Sequence, residues 1–425
     1  MRRTRQRTVT VALVCGAVAT AQLAVVPVAT AVDDGDGGQL VLVGGSLADD
    51  NEQIYGEIVR RAGGAGAHIG IVTAAAVPES QDPDAGTANA NNSVYNGEFY
   101  GDLLEEHGAG RTTWIPLDLD HPEAALDPQV VDEVEDMTGF FFGGGDQYRY
   151  VTLMTDGADQ RDTPLLAAIR DRFEDGAVVA GTSAGMQVMA SENMVTGGES
   201  WEGLVDGSSP GYSDDATELK HLPAGGFGFF TSGLLDTHFG AWGRQGRAVR
   251  LASDTGEDRV FGVDPNTALV VDRAGTRRER LRVIGTNAVN VLDLRAARTT
   301  EVRGHWGIMN VRWTSLSDGD RYDPARWATT PAPGSTTWRP DAWGIQAQRT
   351  DIFSSLAGDG TEFVLSDLAH DLASSRDRAT IGTTYESGPT YRALLVEGAD
   401  FRARSHDGAT ATSFENLRLN LLPGS

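Results

Sequence analysis

The chain has 425 residues, of which 40% are hydrophobic, 22% charged and 7% aromatic. That composition excludes a wholly disordered, collagenous or coiled-coil protein, and the length allows one large domain or two modest ones. Sixty acidic residues against 35 basic ones, a formal charge of −25, argue against nucleic acid or an anionic lipid surface as partner, since both are held through cationic contacts.

Arg2, Arg3, Arg5 and Arg7 precede an apolar run from Val9 to Val28, which ends in the small residues Ala29-Thr30-Ala31. This is the layout of a secretory signal peptide over residues 1–31, removed on maturation and directing the chain out of the cell. Gln22 and Pro27 interrupt the run and speak against the alternative, an uncleaved membrane anchor. Cys15, the single cysteine, lies inside this segment, so the mature chain is expected to carry no disulfide and no thiolate site. Residues 32–38, acidic and glycine-rich, read as a flexible leader.

Leu40 to Val43 reads as a buried strand closing in Gly44-Gly45. A helix follows over residues 51–62, a strand over 69–73, a polar loop over 74–92, a helix over 97–107 and a strand over 113–116. Met137 to Phe142 is another apolar strand, ending in Gly143-Gly144-Gly145. A helix over 163–174, a strand over 177–180 and a helix over 184–190 come next. Short apolar strands alternating with helices predict an α/β fold with a parallel sheet covered on both faces. In such sheets ligands bind beyond the C-terminal strand ends, where all three glycine-rich turns fall. Residues 259–271 and 282–292 read as further strand. From residue 296 the texture changes: Trp327, Pro331, Pro333, Trp338, Pro340 and Trp343 replace the regular alternation. Residues 39–295 are thus expected to form the main domain and 296–425 a β-rich C-terminal extension, which could bind polymer or cell wall, complete a homodimer or cover the core.

Three segments carry chemistry. Gly181-Thr182-Ser183-Ala184-Gly185 has the G-x-S-x-G form between a predicted strand and a predicted helix, a context that pushes the serine into an exposed, strained turn. The Ala184 amide would then sit at a helix N-terminus beside the reaction centre. The competing reading is an ordinary glycine-rich turn with Ser183 as N-cap. Gly143-Gly144-Gly145-Asp146-Gln147 closes another strand. Its bare glycines can expose amides to an oxyanion, with Gly144 the candidate, and Gln147 can orient substrate. Asp236-Thr237-His238-Phe239 follows a short apolar run that could carry His238 to the sheet edge as a candidate base for the serine, against the alternative of a structural histidine; His68 is a lesser rival, at the far end of its strand. Arg244 and Arg247, three apart, share a face if helical and could clamp a carboxylate; otherwise they form an exposed basic patch. No metal-binding spacing stands out, and no cofactor is expected.

In this order, GGGDQ, GTSAG and DTHF-x4-R-x2-R resemble the cyanophycinases and related aspartyl-dipeptide-cleaving serine peptidases. Phe261-Gly262-Val263-Asp264-Pro265-Asn266-Thr267-Ala268 and Val283-Ile284-Gly285 extend the likeness, which covers roughly residues 40–293. The resemblance implies a three-layer α/β/α fold related to class I glutamine amidotransferase domains, with a mostly parallel sheet. It implies Ser183 as nucleophile, His238 as general base, and Gln147, Arg244 and Arg247 as substrate-pocket residues. The implied substrate is a peptide or polymer: cyanophycin, cleaved to β-Asp-Arg dipeptides, or another acidic or isoaspartyl peptide. Three positions depart from the family pattern. Thr237 stands for glutamine, Trp242 for arginine, and Pro265 for the triad glutamate. Asp264 is the adjacent acid, but a one-residue offset on a strand points its side chain to the other face. Glu199 is a second candidate for the acid. The departures also motivate a third reading, a secreted binding protein on a decayed peptidase scaffold.

Overall fold

The computed structural model describes residues 37–157, 159–355, 360–406 and 408–424. The expected signal peptide, and residues 32–36 of the expected leader, lie outside the described residues. Gly38, at the end of that leader, already pairs with Ala274 in the first strand.

Five short segments, four of them largely apolar and the fifth, Arg111–Trp114, a polar edge strand, form a parallel sheet because each is flanked by turn residues and followed by a helix that returns the chain. These are β1 (Gly38–Val43), β2 (His68–Val72), β3 (Arg111–Trp114), β4 (Gly139–Phe142) and β5 (Val178–Thr182), in the order β1-β5-β4-β2-β3. The connecting helices include α1 (Glu52–Ala62), α2 (Ser93–Glu106), α3 (Gln147–Met154) and α4 (Pro164–Glu174). Local chemistry sets their ends. Asn51 Oδ1 accepts the Ile54 amide at the start of α1, and Gly63 closes that helix in the left-handed region at φ 114°. Thr163 caps α4.

Strand alternation sends Leu40, Leu42, Phe140 and Phe142 to one face, where they pack with Tyr150 of α3 and Leu166 and Ile169 of α4. Val41, Val43, Phe141 and Val178 go to the other, against Ile54 and Ile58 of α1 and Leu104 of α2. Burial on both faces explains why β1, β2, β4 and β5 read as largely apolar runs. The α/β architecture, with helices on both sides of the parallel strands, is as expected.

The expected strands 259–271 and 282–292 are each two strands in different sheets. β6 (Leu234–Asp236) pairs parallel to β7 (Arg259–Val263) in a second sheet. The chain then crosses over at Asp264-Pro265-Asn266, and β8 (Thr267–Ala274) lies antiparallel beside β1 in the first. β9 (Arg280–Gly285) stays in the first sheet and β10 (Val289–Asp293) returns to the second. Pro265 has no N–H to continue a ladder, and Asn266 takes φ 52°, so the break falls where neither residue suits a strand. This crossing brings the C-terminal ends of β1, β6 and β7 together.

The second sheet continues through β11 (His305–Leu316), β12 (Tyr391–Ser405) and β13 (Ser413–Pro423), in the order β6-β7-β10-β11-β13-β12. The expected boundary at 295/296 therefore falls inside one sheet, and the described residues form one compact unit. One face of this sheet turns Leu235, Phe261 and Val291 toward the first sheet's core. Leu234, Val260, Leu292 and Trp313 join a core completed by α5 (Ser200–Asp206), α6 (Gln245–Thr255) and α7 (Val364–Ser374). The C-terminal region thus backs α6, with Gln245 Nε2 donating to Ser366 Oγ at 3.0 Å.

Candidate active site

Ser183 occupies a tight turn between β5 and a single helical turn starting at Ala184, with φ 53° and ψ −116°. Its amide donates to Val43 O at 3.0 Å, tying the turn to β1. Both flanking glycines are sterically required. A Cβ on Gly181 would lie 2.3 Å from Gly185 O, and one on Gly185 would lie 2.0 Å from Phe142 O. The G-x-S-x-G pattern is here the cost of pressing a strained turn between two neighbouring strands.

His238 follows β6 at φ 47°. Its amide donates to Gly44 O at 2.7 Å, and its Nε2 lies 3.0 Å from Ser183 Oγ. For the serine to donate, Nε2 must be the unprotonated nitrogen, leaving the proton on Nδ1. Gly45, at φ 108°, makes room for the ring: a Cβ there would lie 2.2 Å from both Cε1 and Nε2. Ser183, His238, Gly144 and Ala184, called from three separate segments, thus meet at one point. Gly144 is close enough that a Cβ on it would lie 3.5 Å from Ser183 Cβ. Among the described residues, neither the Gly144 nor the Ala184 amide donates to a protein acceptor. His68 lies elsewhere, bonded to Thr113 and Arg111.

The acid differs from expectation. Asp264 is buried but makes no hydrogen bond to His238. Its Oδ1 accepts the Gly240 amide at 2.6 Å, and its Oδ2 the Ala288 amide at 3.3 Å and Asn290 Nδ2 at 3.2 Å. Burial pushes its carboxyl up to about 7 against these donors. The strand offset at Pro265 accounts for this: Asp264 supports the backbone two residues beyond the histidine rather than its ring. Glu199 does not reach the ring either. It stands at the N-cap of the helix Ser200–Asp206, where burial raises its pKa against the pull of Arg247 and Arg244. His238 Nδ1 is buried without a hydrogen-bond partner. Burial above all, then the nearby Arg244, holds the imidazole down to about 3, with Asp236 opposing and Arg247 adding to the shift.

The two arginines are not equivalent, and neither belongs to an exposed patch. Arg247 pairs with Asp236 through Nε–Oδ2 at 2.9 Å and Nη2–Oδ1 at 2.5 Å, and gives Nη1 to Gly198 O at 2.8 Å. Its fork is used up inside the protein, so it is no substrate clamp in this structure. Arg244 commits only Nη1, to Thr237 O at 2.8 Å and Thr237 Oγ1 at 3.1 Å. Its Nη1 also lies 3.6 Å from Asp236 Oδ1. Gln147, at the start of α3, donates from Nε2 to Val195 O at 2.9 Å.

This strained serine on a βα turn, bonded to a histidine from a different sheet, sits in a chain of which residues 40–276 match the model of peptidase family S51. The chain belongs to peptidase family S51. It is 29% identical over 297 residues to the cyanophycinases of Nostoc sp. and Trichormus variabilis, in each case 67% of this chain and 84% of the relative. To the cyanophycinase of Geminocystis herdmanii it is 29% identical over 295 residues, 67% of this chain and 93% of the relative. A solved peptidase from an acI-B1 actinobacterium superposes with a TM-score of 0.43 and 19% identity, over 67% of this chain and 96% of that one. Family membership makes the protein a peptidase, hence a hydrolase.

In this S51 peptidase a cleft of about 700 Å³ opens beside Gly144 and Gly145, lined among others by Tyr95, Phe99, Asp146 and Arg149. Three site residues escaped sequence reasoning. Asp236 was visible in the DTHF string, but its pairing with Arg247 depends on how α6 packs against β6. Gly45 was visible as a strand-ending glycine pair, without a signal for the ring that fills its missing side chain. Trp242 was noted only as a departure. It stacks on His238, with ring centroids 4.3 Å apart and planes 14° apart.

Proposed function

We propose that the chain is a secreted serine peptidase that hydrolyses aspartyl peptide or amide bonds, with a cyanophycin-like polymer as its first candidate substrate. The observation that carries the reading is the 3.0 Å contact between Ser183 Oγ and His238 Nε2 in a strained βα turn. Secretion rests on the N-terminal Arg-rich, apolar and Ala29-Thr30-Ala31 segments alone. The substrate class rests on the similarity to cyanophycinases and on Arg244.

In this reading His238 takes the Ser183 proton as Oγ attacks the scissile carbonyl carbon. The Gly144 and Ala184 amides receive the oxyanion, each worth about 3 kcal/mol in comparable sites. His238 passes the proton to the leaving amine. A water then adds to the acyl-enzyme with His238 again as base, releasing the acid product and restoring the serine. No step needs a cofactor. Arg244 offers the uncommitted edge of its guanidinium to a substrate carboxylate, the group that distinguishes an aspartyl residue. Neutralising Arg244 also removes a charge that holds the His238 pKa down, so bound substrate makes the base stronger. A polymer chain would run through the cleft beside Gly144.

A second substrate class, another acidic or isoaspartyl peptide, is favoured by one observation: Arg247 is locked to Asp236 and leaves a single arginine for the substrate. The test is incubation of the mature protein with cyanophycin, reading β-Asp-Arg by mass spectrometry. Release by the wild type but not by Ser183→Ala supports the first reading. Labelling of Ser183 by a fluorophosphonate without release moves the substrate to the second class. Absence of both supports the decayed scaffold instead.

A further inference from the structure

The catalytic base of a serine peptidase is normally held by a carboxylate on Nδ1, which fixes the tautomer and turns the ring toward the nucleophile. Here each nearby acid is engaged elsewhere or out of hydrogen-bonding reach. Asp264 faces the Gly240 amide, Asp236 is taken by Arg247, and Glu199 makes no bond to the ring. Yet the imidazole stands in register with Ser183, so something other than an acid orients it.

Two contacts do so. On one side Gly45 leaves no more space than its hydrogen requires, since a Cβ would meet the ring at 2.2 Å. The other contact is the indole of Trp242, nearly parallel to the imidazole at 4.3 Å. The indole is itself held. Its residue follows His238 by one turn, with the Trp242 amide donating to His238 O at 2.9 Å, and the Arg244 guanidinium carbon lies 4.5 Å from the indole centroid. A parallel ring at that distance resists rotation of the imidazole out of plane. It also presents a π face to the positive charge that the base acquires when it accepts the serine proton. The charge is absent in the ground state, so this contact strengthens toward the transition state, as an interaction must if it is to raise the rate.

We infer that Trp242 is the positioning residue of the His238 base, doing by stacking what a triad acid does by hydrogen bonding. The inference rests on the reading of Ser183 and His238 as nucleophile and base, and the experiment separates the two. The mature protein and its Trp242→Phe and Trp242→Leu variants are treated with a fluorophosphonate, and the labelling rate of Ser183 is followed by mass spectrometry. Thermal melting confirms that each variant is folded. The expected result is a labelling rate roughly tenfold lower for Trp242→Leu, a factor worth about 1.4 kcal/mol, with Trp242→Phe recovering most of it because a ring is restored. If Trp242→Leu fails to fold, Trp242→Met takes its place. On any substrate the protein cleaves, kcat should fall with KM unchanged, because the indole acts through the base and not on the substrate. Equal labelling rates for wild type and Trp242→Leu would overturn the inference, as would a rise in KM at unchanged kcat. If the wild type itself is not labelled, the assignment of Ser183 and His238 fails, and the inference with it.

Discussion

Gly45→Ala tests the geometry of the site without removing a reacting group. A methyl group at this position would stand 2.2 Å from His238 Cε1 and Nε2, where ordinary contact begins at 3.4 Å. If the backbone holds, the ring must retreat by about 1.2 Å, the difference of those two distances. A retreat of that size directed away from Ser183 takes Nε2 from 3.0 Å to about 4 Å from Oγ, beyond hydrogen-bonding reach. A misplacement of about 1 Å costs on the order of 100-fold in rate, equivalent to about 2.7 kcal/mol in the barrier. The φ of 108° adds backbone strain of about 1–2 kcal/mol for any residue with a Cβ, so the melting temperature should drop by several degrees while the fold persists. The assay is the initial rate of fluorophosphonate labelling, with circular dichroism to show that the variant is folded. A folded Gly45→Ala protein that labels within threefold of wild type would refute the argument, since the imidazole would then have another way to meet the serine.

Other predictions concern the nucleophile and the charged and titratable groups around it. Ser183→Ala should abolish turnover and leave the melting temperature nearly unchanged; residual hydrolysis at a tenth of the wild-type rate would sink its role as nucleophile. Asp264→Asn should lower kcat by no more than about tenfold, because Asp264 holds the Gly240 amide and not the imidazole; loss of a true triad acid costs about 10⁴-fold, and a fall of that size would restore Asp264 to the triad. Arg247→Met leaves Asp236 buried without its partner and should destabilise the protein by about 3–5 kcal/mol, read by chemical denaturation. Arg244→Met should instead raise KM for an aspartyl substrate with a smaller loss of stability. The His238 imidazole is held down to about 3 from its ordinary 6.5. As pH falls below 6.5 the unfolded chain takes up a proton that the native protein refuses until about pH 3, so this group makes the native state progressively less stable through that window. His238→Gln should flatten the dependence of melting temperature on pH there, and an unchanged slope would count against the depressed value.

Much of the site was legible because its parts are local. The strained serine needs small residues at Gly181 and Gly185, and that need is written in consecutive positions between an apolar run and a helix. The candidate oxyanion amides follow from the same turn and from the glycines after β4. His238 was found from the short apolar run before it, since a strand carries its next residue to the sheet edge. What misled was distance in sequence. Residues 259–271 have the composition of one strand, and only the pairing with β6, β10 and β1 shows that Pro265 divides them between two sheets. The same division turns Asp264 toward Gly240. Arg244 and Arg247 look alike three residues apart, yet one meets Asp236 and Gly198 while the other keeps a free edge.

The amino-acid sequence by itself determined the elements of the α/β fold, the glycine-rich turns at the strand ends, and the serine and histidine that meet there. These depend on strand alternation, helix caps and steric demands within a few residues, all of which are encoded where they act. The tertiary structure alone decided that the C-terminal region completes the second sheet, that Arg247 is spent on Asp236, and that the histidine meets an indole and a bare glycine where an acid was expected. Those outcomes depend on which side chains arrive together from segments far apart in the chain, and burial then sets the energy of each charge according to the partner it finds.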